Sequence, residues 1–166
     1  MIRCYVALGS NLGNPAVTVD EAIDALAALR GSILRAMSSL YRTAPVGISE
    51  KLRHQPDFVN AVVVLDTRLA PHQLLDELFA VEARFGRQRS VRNAPRTLDL
   101  DLLLYGDLVV DDERLTLPHP RMHQRAFVLA PLAEIAPGLV IPDHGPVETL
   151  LADCRDQRIQ ALNRHG

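Results

Sequence analysis

Two helical stripes, each set between strand-like runs, constrain this chain more than any other feature of its sequence. Residues 2 to 8 (I-R-C-Y-V-A-L) read as a buried strand ended by Gly9-Ser10-Asn11-Leu12-Gly13, and Asn14-Pro15 then offers a capping residue and a first-turn proline. Val19, Ala22, Ile23, Leu26 and Leu29 recur at helical spacing until Gly31 stops the run. Residues 32 to 43 alternate weakly, as a strand does, and Pro45, Gly47 and Pro56 bracket a polar loop. Phe58 to Thr67 (F-V-N-A-V-V-V-L-D-T) is the clearest strand in the chain. Pro71 opens a second helix with Leu74, Leu75, Leu78, Val81 and Phe85 on one stripe, closed by Gly86, and a further strand runs from Leu98 to Tyr105. The order strand, helix, strand, strand, helix, strand predicts an α+β protein with a ferredoxin-like βαββαβ core, its helices packed on an antiparallel sheet. Beyond it, residues 107 to 123 read as irregular or hairpin-like. A third helix is expected over roughly 123 to 136 with a bend near Pro131, and a last short one from Val147 to Leu151.

A chain of 166 residues is most simply one domain, here 1–166, able to bury its own core without a cofactor. Its net charge of −2 and ordinary charged fraction do not fit a basic nucleic-acid binder, and no apolar run approaches the length of a membrane span. The first residues enter a strand pattern directly, without the apolar segment and cleavage site of a signal peptide. Cys4 and Cys154 stand at opposite ends with no CxxC spacing, which suggests neither a disulfide framework nor a zinc site and fits a reducing compartment. A cytoplasmic monomer is the expectation.

The chemistry concentrates in Arg92 to Asp101, R-N-A-P-R-T-L-D-L-D. Strand residues two apart share a face and rise roughly 6.6 Å, so Asp99 and Asp101 can hold hard cations together while Leu98, Leu100 and Leu102 face the core. Were the strand central, burying both acids unpaired would cost several kcal/mol, and a divalent ion or a lasting arginine partner would be required. Five arginines (Arg84, Arg87, Arg89, Arg92, Arg96) fall within thirteen residues, in a chain whose single lysine is Lys51. Arg84 suits the helix C-terminus; Arg89, Arg92 and Arg96 lie beyond Gly86, in a loop expected to order when an anion neutralises it. Guanidinium forks match phosphate oxygens, and carboxylates tolerate a polyphosphate when Mg²⁺ stands between. Gly9 to Gly13 matches neither common glycine-rich phosphate motif and reads as a strand-to-helix turn. Phe58 and Asn60 share a strand face, where the amide either satisfies backbone groups or reads a flat heterocycle stacked on Phe58. With four phenylalanines and no tryptophan, an aromatic sandwich has few candidates, and Phe58 and Phe127 are two of them. His119, in the rigid Pro118-His119-Pro120 turn, is either a surface histidine or a donor to a phosphate oxygen.

Five segments, taken in order, resemble the 6-hydroxymethyl-7,8-dihydropterin pyrophosphokinases of folate biosynthesis. They are A-L-G-S-N-L-G at 7 to 13, S-L-Y-R-T-A-P-V-G at 39 to 47, Q-P-D-F-V-N-A at 55 to 61, R-N-A-P-R-T-L-D-L-D-L-L at 92 to 103, and L-P-H-P-R-M-H-Q-R-A-F-V-L-A-P-L-A-E-I-A-P at 117 to 137. The resemblance implies a single pyrophosphokinase domain that transfers pyrophosphate from ATP to the pterin hydroxymethyl oxygen and releases AMP. It implies two Mg²⁺ ions on Asp99 and Asp101, with Arg87 and Arg96 following the charge as the reaction proceeds. Glu82, Arg89, Arg92, Arg96, Leu102, Arg114, Leu115, Thr116, His119 and Arg125 match positions used around ATP. Phe58 and Phe127 would sandwich the pterin, Asn60 would pair with its polar edge, and Thr43, Ala44, Pro45, Val46 and Gly47 would supply backbone hydrogen bonds. Two rivals use some of the same features: a ferredoxin-like RNA-binding module, disfavoured by the charge and the two acids, and a metal-dependent phosphohydrolase.

Overall fold

The computed structural model describes residues 1–43, 57–86 and 98–162. Its first strand, β1 (Ile2–Ser10), runs into a turn in which Gly13 holds φ +62°, a conformation an ordinary side chain resists, before α1 (Pro15–Ala27) starts. Asn14 caps that helix, its side-chain oxygen accepting from the Val17 N–H at 3.4 Å, and Pro15 takes the first position. The weakly alternating segment divides into β2 (Ser32–Met37) and β3 (Tyr41–Thr43), both paired with β4 (Phe58–Thr67). Between them Ser38 takes over the pairing: its N–H donates to the Val62 carbonyl at 2.9 Å and its hydroxyl accepts from the Val62 N–H at 3.0 Å. Next come α2 (Pro71–Gly86) and β5 (Asp99–Tyr105).

Every pairing in the main sheet is antiparallel. β4 lies between β2/β3 and β1, with β5 on the far side of β1. Numbered as the four strands of a βαββαβ unit, this spatial order is 2-3-1-4, the ferredoxin-like arrangement. One sheet face buries Cys4, Val6 and Leu8 of β1, Val59, Ala61, Val63 and Leu65 of β4, and Leu98, Leu100 and Leu102 against α1 and α2. Helices cover the other face as well, where α3 (Ala126–Ile135) and α4 (Val147–Ala152) pack over Tyr5, Val62, Val64, Leu103 and Leu104. A register shift between Tyr5 and Val6 lets both Leu103 and Leu104 join that second core.

The remaining elements differ in detail from the sequence-based expectation. The stretch read as irregular or hairpin-like does contain a small hairpin, β6 (Val110–Asp111) with β7 (Thr116–Leu117). The third helix begins at Ala126, after a separate 3₁₀ turn at Met122–Gln124, and carries Pro131 within it. A second ribbon, β8 (Val140–Ile141) with β9 (Gly145–Pro146), precedes α4, and β10 (Ile159–Ala161) adds an edge strand beside β3. These last strands are two or three residues long, too short to show a period.

Candidate active site

The sheet face under α3 changes character over two adjacent rows. Along β4 the residues on that face run Val64, Val62, Asn60, Phe58; along β1, Tyr5, Ala7, Gly9; along β5, Leu103, Asp101, Asp99. Pairing register aligns the change, because Gly9 stands opposite both Asn60 and Asp99, and Ala7 opposite both Val62 and Asp101. Aliphatic rows that bury under α3 thus become a polar row just past its N-terminus. There a cleft of about 620 Å³ opens, lined among others by Gly9, Thr43, Phe58, Asn60, Asp99, Asp101, Arg125 and Phe127. Seven residues singled out from the sequence therefore meet in one place, delivered by β3, β4, β5 and the start of α3.

Asn60 is 6% exposed, and its Nδ2 donates to the Thr43 Oγ1 at 2.8 Å. A Cβ on Gly9 would come within 2.9 Å of the Asn60 Oδ1, so this glycine gives the amide the room it occupies. Asp99 is exposed and the Asp101 side chain is 48% exposed, on a strand at one end of the sheet's pairing order. The condition of a central strand is not met, and the acids face an open cleft at no burial cost. The case for a metal therefore rests on the donor set. Two carboxylates in a solvent-accessible cleft suit Mg²⁺, which keeps water and substrate phosphate among its ligands and needs no full protein cage. Among the described residues, no group of three or more His, Cys, Asp or Glu side chains is placed to hold a metal ion.

Glu82 reaches the same strand from α2, its carboxylate accepting from the Leu100 N–H at 2.8 Å, between the two aspartates. His119 sits in the turn after β7, its backbone N–H donating to the Leu103 carbonyl at 2.9 Å. The imidazole is 18% exposed, with Nε2 4.0 Å from the Asp101 Oδ1. Its Nδ1 accepts from the Arg121 N–H at 3.2 Å, so the neutral ring carries its proton on Nε2, facing Asp101. Burial lowers the His119 pKa; Asp101 opposes that shift, while Arg125 and Arg121 add to it. The Arg125 guanidinium lies 5.4 Å from the centre of the Phe127 ring, within cation–π range.

Other residues from the sequence reading lie apart from the cleft lining. Leu102 and Leu115 are buried in the α1/α2 core, 4% and 6% exposed. Arg114 pairs with Asp76, and Thr116 donates to Asp111 on the small hairpin at 3.3 Å. Ala44, Pro45, Val46, Gly47, Arg87, Arg89, Arg92 and Arg96 lie outside the described residues, as does the loop expected to order around an anion. The sequence reading also missed cleft residues. Gly9 carried a signal, since a glycine inside an apolar strand marks a close approach. Gln124, Asp156 and Gln157 carried none, the last two lying in a C-terminal stretch without periodicity.

Fold and cleft together define a ferredoxin-like α+β protein that sets a carboxylate pair beside an amide and two aromatic rings. Residues 5–137 match the family model of 7,8-dihydro-6-hydroxymethylpterin-pyrophosphokinase (HPPK), and the chain belongs to that family. The 2-amino-4-hydroxy-6-hydroxymethyldihydropteridine pyrophosphokinase of Pseudomonas aeruginosa is 49% identical over 160 residues, 96% of each chain. Its namesake from Haemophilus influenzae is 44% identical over 163 residues, 98% of this chain and 99% of that one. Among solved structures, a Plasmodium falciparum HPPK-DHPS triple mutant crystallised with STZ-DHP superposes with a TM-score of 0.72 at 14% identity. That match covers 92% of this chain and 43% of the larger one, and it speaks for the fold alone.

Proposed function

We propose that this chain transfers pyrophosphate from ATP to the hydroxymethyl oxygen of 6-hydroxymethyl-7,8-dihydropterin, yielding AMP and the pterin diphosphate for folate synthesis. The observation that carries this reading is the cross-strand row Asn60, Gly9, Asp99. Two strand spacings, about 10 Å, separate the amide from the acid, a gap that a fused two-ring heterocycle with one exocyclic carbon can span. Asn60 commits one N–H to Thr43, leaving its other N–H and its carbonyl for the ring's amide-like edge. Phe58 and Phe127 line the same cleft and offer apolar faces to a flat ring. A buried amide left unpaired by the wrong ring would reject it strongly.

Asp99 and Asp101 would hold two Mg²⁺ ions together with ATP phosphate oxygens and water. When bound, the metal screens the triphosphate and stabilises charge on the departing AMP oxygen. The chain's own contribution is placement. Glu82 fixes the β5 backbone between the two acids, and the His119 Nε2–H faces the phosphate side of the cleft. Arg125, together with Arg87, Arg89, Arg92 and Arg96, is proposed to grip the polyphosphate, with Leu102, Arg114, Leu115 and Thr116 assigned to the nucleotide by resemblance. The backbone from Thr43 to Gly47 is assigned to the pterin on the same ground. The alcohol oxygen bonds to the β-phosphorus as the α,β bridging bond breaks, AMP leaves with the bridging oxygen, and the alcohol proton passes to solvent. Positioning of this kind can supply much of such a barrier. We assign the work to a single domain over 1–166, acting as a cytoplasmic monomer without nucleic-acid or membrane partners. Among the described residues no helix is long and apolar enough to cross a membrane.

The test is AMP release from ATP and Mg²⁺ with and without the hydroxymethyl-dihydropterin. The expected result is AMP formation that requires the pterin and falls by about a hundredfold or more in Asp99→Ala and Asp101→Ala, the several kcal/mol a lost metal ligand removes. Both variants should keep the wild-type circular dichroism, since both acids face the open cleft. Equal AMP formation without pterin would make the protein a hydrolase, and full turnover in either variant would remove the carboxylates from the mechanism.

A further inference from the structure

The C-terminal segment, beyond the residues that match the family model, ties the two walls of the cleft together through one side chain. Helix α3 begins without a local cap: Arg125 precedes it and makes no side-chain capping bond. The first helical residue, Ala126, is 1% exposed, so its N–H needs a protein partner. Gln157 supplies it from 31 residues away, its Oε1 accepting from the Ala126 N–H at 2.9 Å. The other end of the same amide, Nε2, donates to the Gln124 carbonyl at 2.8 Å. Both bonds bracket Arg125 and stop one residue short of Phe127, and Gln124, Arg125, Phe127 and Gln157 all line the cleft.

The segment is itself anchored on the opposite wall. Two residues after Gln157, β10 pairs with β3, and the register sets Ile159 against Thr43, the residue that holds the Asn60 amide. The Leu162 N–H continues the join, donating to the Leu40 carbonyl at 2.7 Å. On the near side, Cys154 is 5% exposed in the α3/α4 core, and the Gln157 N–H closes a turn onto its carbonyl at 2.9 Å. Gln157 thus sits between a core anchor and a zipped strand, with both amide ends committed to the start of α3.

We propose that Gln157 is a positioning residue for the pterin half of the cleft, fixing Phe127 relative to Asn60 and Thr43. This rests on the pterin reading given above. The carboxylate pair stands on β5, and neither Gln157 side-chain bond goes to that strand; of the residues assigned to the nucleotide, Arg125 alone stands between the two bonds, so the pterin half should lose more than the nucleotide half.

The test is steady-state kinetics of Gln157→Leu, which keeps the bulk and removes both bonds, and of Gln157→Glu, which keeps the acceptor for the Ala126 N–H. Direct pterin binding by fluorescence would accompany both. Gln157→Leu should raise the KM for the pterin and its dissociation constant by about tenfold, in keeping with two lost hydrogen bonds, while the KM for ATP stays within twofold of wild type. Gln157→Glu, which keeps one of the two bonds, should leave a rise of about threefold, about half of the loss in free energy. A pterin KM unchanged in Gln157→Leu, or a parallel rise in both KM values, would overturn the proposal. If Gln157→Leu does not fold, Gln157→Glu decides alone: a rise of about threefold for pterin only supports the role, since one of the two bonds is lost, and no change refutes it. Wild-type protein that neither binds nor converts the pterin would overturn the functional reading beneath, and this inference with it.

Discussion

Gly9 and Asn60 show how one missing side chain makes room for another. The amide packs against Gly9, with 2.9 Å between its oxygen and the point where a Cβ would stand. Gly9→Ala must therefore push Asn60 off Thr43 or separate β1 from β4, at a cost of about 1–3 kcal/mol as overpacking. The expected outcome is a lower urea midpoint with pterin affinity reduced more than nucleotide affinity, read by denaturation and by titration of each ligand. Unchanged pterin affinity would show that Asn60 does not need this position. The cysteines are quieter: burial pushes the Cys4 thiol up to about 12, so at neutral pH it remains protonated and packs as a small apolar group.

Between elements, the carboxylate of Glu134 near the end of α3 performs a related task. It accepts from the Ser39 N–H at 3.0 Å, the Ser39 hydroxyl at 2.9 Å and the Tyr41 hydroxyl at 2.7 Å, clamping α3 onto the joint between β2 and β3. Burial and then that hydrogen bond raise the Tyr41 pKa, keeping the phenol a donor. Glu134→Gln should lower stability by about 1 kcal/mol with no change in denaturant slope, measured by urea unfolding. An unaltered midpoint would mean the clamp is redundant with the core beneath it. These contacts also mark what the sequence made legible. Long periodic runs announced α1, α2, β1, β4 and β5, and the alternation of leucine with aspartate announced that Asp99 and Asp101 share a face. The β6/β7 ribbon was legible only as a hairpin-like stretch and β8/β9 not at all, both being too short to show a period, while the break at Ser38, β10 and the Gln157 bonds left no trace because each depends on partners distant in sequence. The cost of burying two acids also weighed differently than the leucine-rich strand suggested, since sheet order, not strand composition, decided their exposure.

For the whole molecule, Asp66 joins three strands at the end of the sheet remote from the cleft. Arg3 of β1 donates to it at 3.0 Å and Arg35 of β2 at 2.9 Å, and the Asp66 side chain is 13% exposed. The Arg3 hydrogen bond, joined by Arg35 and working against partial burial, holds the carboxyl pKa at about 2. A carboxyl depressed in the folded state stabilises it above the unfolded pKa, and that contribution fades as pH falls from about 4 toward 2. Asp66→Asn should cost about 1 kcal/mol at pH 7, discounted for the exposed arginines, and flatten the acid limb of urea midpoints between pH 5 and 2.5. An acid limb as steep as wild type would assign it to other carboxylates. One cleft, past the N-terminus of α3, is proposed to hold the nucleotide phosphates on Asp99 and Asp101 and the pterin on Asn60 at once. A crystal structure with a nonhydrolysable ATP analogue, Mg²⁺ and hydroxymethyl-dihydropterin tests it most directly. Metal within about 2.1 Å of oxygens from both aspartates, with the pterin ring between Phe58 and Phe127, is the expected result; bare aspartates, with nucleotide or pterin seated elsewhere, would rule out a shared cleft.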